Sequence, residues 1–153
     1  MQQATLKDLP HVMALYRACA AMPNSCWDEG YPTEELARGD IEQGTLFLLE
    51  DYGAATLLTW EELENMGLGF TFTETPCVLC RLCLHPSHQG RGEGSYLLAQ
   101  AEQQARELGY RSMHLLVDLD NPTARRLYDR CGYRPVCEVA MFGTVFNAME
   151  KRL

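Results

Sequence analysis

Long apolar runs are missing from this chain: nothing approaches the ~20 consecutive apolar residues of a membrane span. The opening MQQATLKDLP also lacks the charged-then-apolar order of a secretion signal. The expectation is a cytoplasmic protein that makes no membrane contact. Basic residues are scarce as well, 13 Lys and Arg against 21 Asp and Glu, for a net charge of -8. No basic cluster offsets that excess, since Arg125 and Arg126 form an isolated helical pair, and a nucleic-acid partner is therefore excluded. Repeats, biased tracts and Ser/Gly linkers are absent too, so residues 1–153 read as one ordered domain. Cysteine is plentiful, but seven is an odd number and a cytosolic chain keeps its thiols reduced, so no disulfides are expected. Cys77, Cys80 and Cys83 give a C-x-x-C-x-x-C spacing. On a strand, however, Cys77 and Cys83 share a face that Cys80 does not, and no fourth ligand is near; His85 and His88 lack a matching pair, and no metal is expected.

What is present is a clear alternation of elements. Leu9, Val12, Met13, Leu15, Tyr16 and Cys19 fall at helical spacing over 8–22, and Thr33-Glu34-Glu35 after Pro32 starts a second helix ending near Gly44. Residues 45–50 and 54–60 flank Asp51-Tyr52-Gly53 and read as an antiparallel hairpin, followed by a looser segment rich in Glu and Gly. A strand over 77–84, a helix over 93–108 and a strand over 111–118 make a β-α-β unit, whose two strands must run parallel. Gly109 suits the left-handed position after that helix, while Asn121 caps the next one with Pro122 in its first turn and Gly132 at its end. Strands over 133–140 and 143–151 complete a mixed α/β architecture.

The junction at 77–95, CVLCRLCLHPSHQGRGEGS, has the chemistry of an anion cradle. Gly90, Gly92 and Gly94 remove side chains where the backbone must curl, and the first N–H groups of the following helix have no intrahelical partners. A Walker loop needs Lys-Ser or Lys-Thr after its last glycine, but Ser95 and Tyr96 follow Gly94. A dinucleotide fingerprint needs G-x-G-x-x-G, but these glycines alternate as G-x-G-x-G. What remains is Gln89-x-x-Gly92-x-Gly94, joined downstream by Asn121-Pro122-Thr123-Ala124, Leu127-Tyr128 and Cys131-Gly132-Tyr133. This pair of motifs resembles the acetyl-CoA loop and the N-x-x-A-x-x-L-Y-x-x-x-G-[FY] element of the GNAT superfamily of N-acetyltransferases. The resemblance covers roughly 77–151, and the N-terminal half matches in layout.

The resemblance implies a GNAT-like mixed, mostly antiparallel central sheet with a parallel β-α-β core, flanked by helices. It also implies direct transfer of an acetyl group from acetyl-CoA to a primary amine of a small molecule or protein. By resemblance, the backbone of Leu82, Cys83 and Leu84 holds the pantetheine arm, while Gln89, Gly90, Arg91, Gly92, Glu93, Gly94 and Ser95 cradle the pyrophosphate. The Glu93 carboxylate must then point away from the phosphates. Asn121 and Tyr128 lie on one helical stripe facing the cofactor, with Tyr128 the acid for the departing thiolate, since a phenol of pKa ~10 stays protonated at neutral pH. For the base, alternation puts His114, Leu116 and Asp118 on one face; Asp118, acting directly or through water, competes with Glu61, Glu62 and a pure water relay. The N-terminal-amine branch of the family has a glutamate where this chain has Leu116, which argues against a ribosomal-protein acceptor. Trp27 and Tyr31, between the first two helices, and Trp60 are expected to shape the acceptor site, or else to be local packing. Cys83 could relay the acyl group, although the resemblance favours direct attack. A catalytically silent acyl-CoA sensor and an anion-binding module remain as alternative readings, and the family's habit of pairing through sheet edges leaves a homodimer open.

Overall fold

Apolar residues three and four apart form the helices α1 (Leu9–Ala20) and α2 (Glu34–Glu42), and runs of buried residues form β2 (Leu46–Leu49) and β3 (Gly53–Leu58). A two-residue β1 (Gln2–Gln3) precedes them, and a short α3 (Glu61–Asn65) follows. The second half contains β4 (Pro76–Leu84), α4 (Glu93–Glu107), β5 (Ser112–Asp118), α5 (Pro122–Arg130), β6 (Arg134–Met141) and β7 (Thr144–Arg152). These elements are those of a computed structural model, which describes residues 1–23 and 25–153. The seven strands are ordered β1-β2-β3-β4-β5-β7-β6, a mixed and mostly antiparallel sheet whose parallel pair is β4 with β5. That is the architecture the sequence implied. Two elements went unread: β1, too short to show a period, and α3, in which a single buried Leu63 leaves no apolar stripe among glutamates.

The chain divides into two compact units, and β4 and α4 each continue from one into the other. The first comprises Met1–Leu57 and Arg81–Ala101. In it α1 buries Val12, Leu15 and Tyr16 in a core shared with Ala37 and Ile41 of α2, Leu46 and Leu48 of β2, Ala54 of β3 and Cys83 of β4. Strands β2 and β3 pair from Leu46↔Thr56 to Leu49↔Gly53, the expected hairpin. Thr33 caps α2, its Oγ1 accepting from Leu36 N at 3.1 Å.

The second unit comprises Leu58–Cys80 and Glu102–Leu153. Parallel pairing of β4 with β5 runs from Pro76↔Ser112 to Val78↔His114, whereas β5 pairs antiparallel with β7 along its whole length, Ser112↔Arg152 to Asp118↔Phe146. The β6–β7 hairpin turns at Phe142 (φ 51°) and Gly143 (φ 80°). Gly109 and Gly132 take the left-handed positions read for them, at φ 93° and 86°. No helix among the described residues is long and apolar enough to cross a membrane.

Candidate functional site

In the first unit, β4 leads through a single 3-10 turn (Pro86–His88) into a loop that opens α4. Gln89 folds back so that its Nε2 donates to Leu84 O at 2.9 Å, fastening the loop to the strand end. Gly90 and Gly92 have φ of 79° and 84°, a region that side chains of L-residues strain to enter. A Cβ at either would meet no heavy atom within 4 Å, so the space above the loop is open. Gly94 differs from its neighbours, lying within the first turn of α4. Ser95 N, expected to face the anion, instead donates to Gly92 O at 3.1 Å, as Tyr96 N does at 3.3 Å. Among the described residues, the N–H groups of 90–94 donate to no main-chain carbonyl. The loop therefore presents a run of unpartnered donors at the positive end of a four-turn helix, a donor set that fits a diphosphate.

Strand β4 carries a second irregularity just before this loop. Arg81 has φ 47°, a left-handed residue inside a strand, which breaks the alternation of side chains and re-aims the backbone that follows. Its guanidinium grips Asp40 of α2 with both teeth, Nε to Oδ2 at 2.8 Å and Nη2 to Oδ1 at 2.7 Å, and Thr56 Oγ1 donates to the same carboxylate at 3.1 Å. Both charges are nearly buried, at 9 % and 8 % side-chain exposure, so each depends on the other for its solvation. Leu84 O, beyond the distortion, also accepts from Cys19 Sγ at 3.3 Å. The Cys19 thiol and burial together push the Cys83 thiol well above its ordinary range, which keeps it protonated and a poor acyl relay. Leu82 packs on the cluster of Leu49, Leu84 and Leu97.

Trp27 and Tyr31 lie together in the α1–α2 connection, ring centroids 6.2 Å apart and edge to face, with Trp27 also 5.4 Å from Tyr16. Beside them is a cavity of about 200 Å³ lined in part by Tyr16, Arg17, Asp28, Glu29 and Tyr31. Trp60 belongs to the second unit, where it stacks on Phe142 at 6.4 Å.

In the second unit, Asn121 Oδ1 caps α5 by accepting from Ala124 N at 3.0 Å, so its side chain is committed to the helix start. One stripe further along α5, Tyr128 is buried, its ring 5.5 Å from Tyr133. Burial, reinforced by the Cys80 and Cys131 thiols, raises its phenol well above the ordinary tyrosine value. Asp118 closes a turn: Oδ1 accepts from Asp120 N at 2.8 Å and Oδ2 from Thr144 Oγ1 at 3.3 Å. His114 is fully buried between Glu64 Oε1, 2.7 Å from Nδ1, and Phe72 O, 2.8 Å from Nε2, with Phe70 stacked on the ring. Both of its nitrogens are already engaged by protein oxygens. Glu61 and Glu62 are exposed on α3.

The model of the acetyltransferase (GNAT) family matches residues 12–133. This chain belongs to that family. Among curated GNAT relatives, a mycothiol acetyltransferase from Mycobacteroides abscessus is 28 % identical over 121 residues, 76 % of this chain and 38 % of the relative. Another, from Beutenbergia cavernae, is 31 % identical over 105 residues, 67 % of this chain and 33 % of the relative. The chain thus spans about a third of the length of the curated relatives it matches. Among solved structures, PaiA N-acetyltransferase from Thermoplasma acidophilum, in complex with coenzyme A, superposes with a TM-score of 0.72 at 18 % identity, covering 99 % of this chain and 97 % of that one. A GNAT acetyltransferase from Streptococcus agalactiae reaches 0.79 at 16 % identity, over 99 % and 94 % of the two chains. At those identities the likeness is one of fold.

Within this GNAT frame, sequence reasoning missed the Asp40–Arg81 pair. A signal was there: an arginine in the middle of the apolar CVLCRLCL strand requires a buried counter-charge, and Asp40 sits beside Ala37 and Ile41 on the buried face of α2. The cap of Asn121 and the left-handed glycines, by contrast, were readable because their signals are local.

Proposed function

We propose that this GNAT domain transfers an acetyl group from acetyl-CoA to a primary amine of a small molecule or protein. The observation that carries the reading is the run of unpartnered N–H groups over 90–94, beside two left-handed glycines at the mouth of α4. Those donors take the pyrophosphate, and the main chain of Leu82, Cys83 and Leu84 takes the pantetheine arm, with the thioester carbonyl polarised by a backbone N–H.

The neutral amine attacks the thioester carbonyl carbon, a C–N bond forms, and collapse of the tetrahedral adduct breaks the C–S bond. The sulfur leaves as a thiolate that takes the Tyr128 proton, and the phenolate regains one from the water that receives the ammonium's proton. The proton released by the new ammonium goes to water held by Asp118, whose oxygens already accept two protein hydrogen bonds. Because burial holds the phenol well above its ordinary value, Tyr128 stays protonated wherever the amine is neutral, and it begins as a hydrogen-bond donor to the developing thiolate. Trp27 and Tyr31, edge to face beside an acid-lined cavity, favour a cationic acceptor that loses its proton before attack. Trp60 supplies a further aromatic surface for the acceptor.

Thiol release from acetyl-CoA, followed during presentation of an amine panel that includes diamines, amino sugars and peptide amines, tests this. Release that depends on both acetyl-CoA and one class of amine is expected. Tight CoA binding with no release across the panel would contradict it.

A further inference from the structure

A carboxylate in the first turn of α4 is a competitor for the very donors that an incoming diphosphate needs. Glu93 is the first residue of that helix, and an acidic group there is drawn to the free N–H groups and to the positive end of the dipole. The structure shows it held elsewhere. Glu93 Oε2 lies 2.5 Å from His88 Nδ1, in a half-buried pair at 34 % and 30 % side-chain exposure. The imidazole is itself clamped flat against Tyr52, with centroids 4.1 Å apart and planes 4° from parallel. Tyr52 is anchored in turn, its carbonyl accepting from His85 N at 2.7 Å. Three segments, the β2–β3 turn, the 3-10 turn after β4 and the start of α4, are thereby joined by one side-chain chain.

We infer that His88 and Tyr52 are positioning residues for the cofactor: they hold the Glu93 carboxylate off the diphosphate cradle so that the N–H groups of 90–94 stay vacant for phosphate oxygens. The inference rests on the proposed role of that loop. Its physical content is electrostatic. Released from His88, the Glu93 carboxylate would either cap the donors itself or stand beside a ligand of the same sign, and both weaken binding of the phosphate-bearing half of acetyl-CoA alone. Glu50 and Asp51, next to Tyr52 in sequence, add acidic charge to the neighbourhood and make an unrestrained Glu93 less tolerable still.

A calorimetric double-mutant cycle with CoA tests this. His88→Ala, with His88→Leu as a second variant should the first fold poorly, is expected to weaken CoA binding about tenfold. Glu93→Gln is expected to tighten it about twofold, because the competing charge is gone. The double variant His88→Ala/Glu93→Gln should bind at least as tightly as wild type, and Tyr52→Leu should lose affinity in the same direction as His88→Ala. S-acetylpantetheine, which has no phosphate, should show the same KM in wild type and His88→Ala. A His88→Ala variant that binds CoA as wild type does, or a double variant as weak as His88→Ala alone, would overturn the inference. Failure of the wild type to bind CoA would instead remove the proposed role of the loop, and this inference with it.

Discussion

In its proposed role as the acid, Tyr128 combines two demands that pull against each other. A proton donor to a thiolate must be near the reacting sulfur, yet burial makes its conjugate base costly and raises its pKa. The outcome is a donor that starts each turnover protonated across the working range. Tyr128→Phe is therefore expected to lower kcat by about a hundredfold with little change in KM for acetyl-CoA, as general-acid removals commonly do. The kcat–pH profile of the wild type should show no alkaline fall below about pH 10, since the raised phenol keeps its proton there. Steady-state kinetics on both proteins check the pair, and an unchanged kcat in the variant would remove Tyr128 from the mechanism. Asp40 and Arg81 sit at the same scale with a structural task. Cutting one partner by Asp40→Asn leaves a nearly buried guanidinium short of its counter-charge, at a cost of about 3 kcal/mol in denaturant unfolding; the apolar double replacement Asp40→Leu/Arg81→Leu should cost less.

At the level of elements, caps and turns settle where helices begin. Asn121→Ala removes the Oδ1 acceptor for Ala124 N and should destabilise the protein by about 1 kcal/mol, measured by thermal or urea unfolding. This cap, the left-handed Gly109 and Gly132, the β2–β3 hairpin and the parallel β4–β5 pair could all be read from the chain, because each rests on residues a few positions apart or on one clear period. The strand order could not, and for Arg81 the need of a counter-charge was legible but not the pairing that meets it. Pairing of β5 with β7 joins Ser112 to Arg152, and the Arg81–Asp40 bond joins residues 41 apart, contacts that no local pattern encodes. The glycine loop shows both sides. Its curl was legible from composition, whereas the turn of Ser95 N into the helix and the hold of His88 on Glu93 emerge only in three dimensions.

For the molecule as a whole, buried neutral acids set the response to pH. Burial raises Tyr16, Tyr128 and Tyr133 above the ordinary phenol value and pushes Cys77 up to about 12. A folded-state pKa above the unfolded one means stability that is complete below the unfolded value and lost as pH rises beyond it. Unfolding free energy should accordingly hold steady with respect to these groups near pH 7.5 and fall from about pH 9 upward, as the thiols and phenols of the unfolded chain ionise first. Glu150 acts at the other end. Burial alone would raise it, but hydrogen bonds from Phe72 N, Arg134 and Thr71 outweigh that and lower it, so its contribution is present above its ordinary pKa and disappears in acid. Urea midpoints across pH 4–10 check both limbs. The central claim is that main-chain amides of 90–94 hold the phosphates of acetyl-CoA, and calorimetry with CoA, 3′-phospho-ADP and pantetheine measures it most directly. The account predicts saturable heat at one site per chain for CoA and for 3′-phospho-ADP, and its loss in Gly92→Val, where a β-branched residue cannot take φ 84°. No heat with CoA, or undiminished binding by the folded Gly92→Val protein, would contradict it.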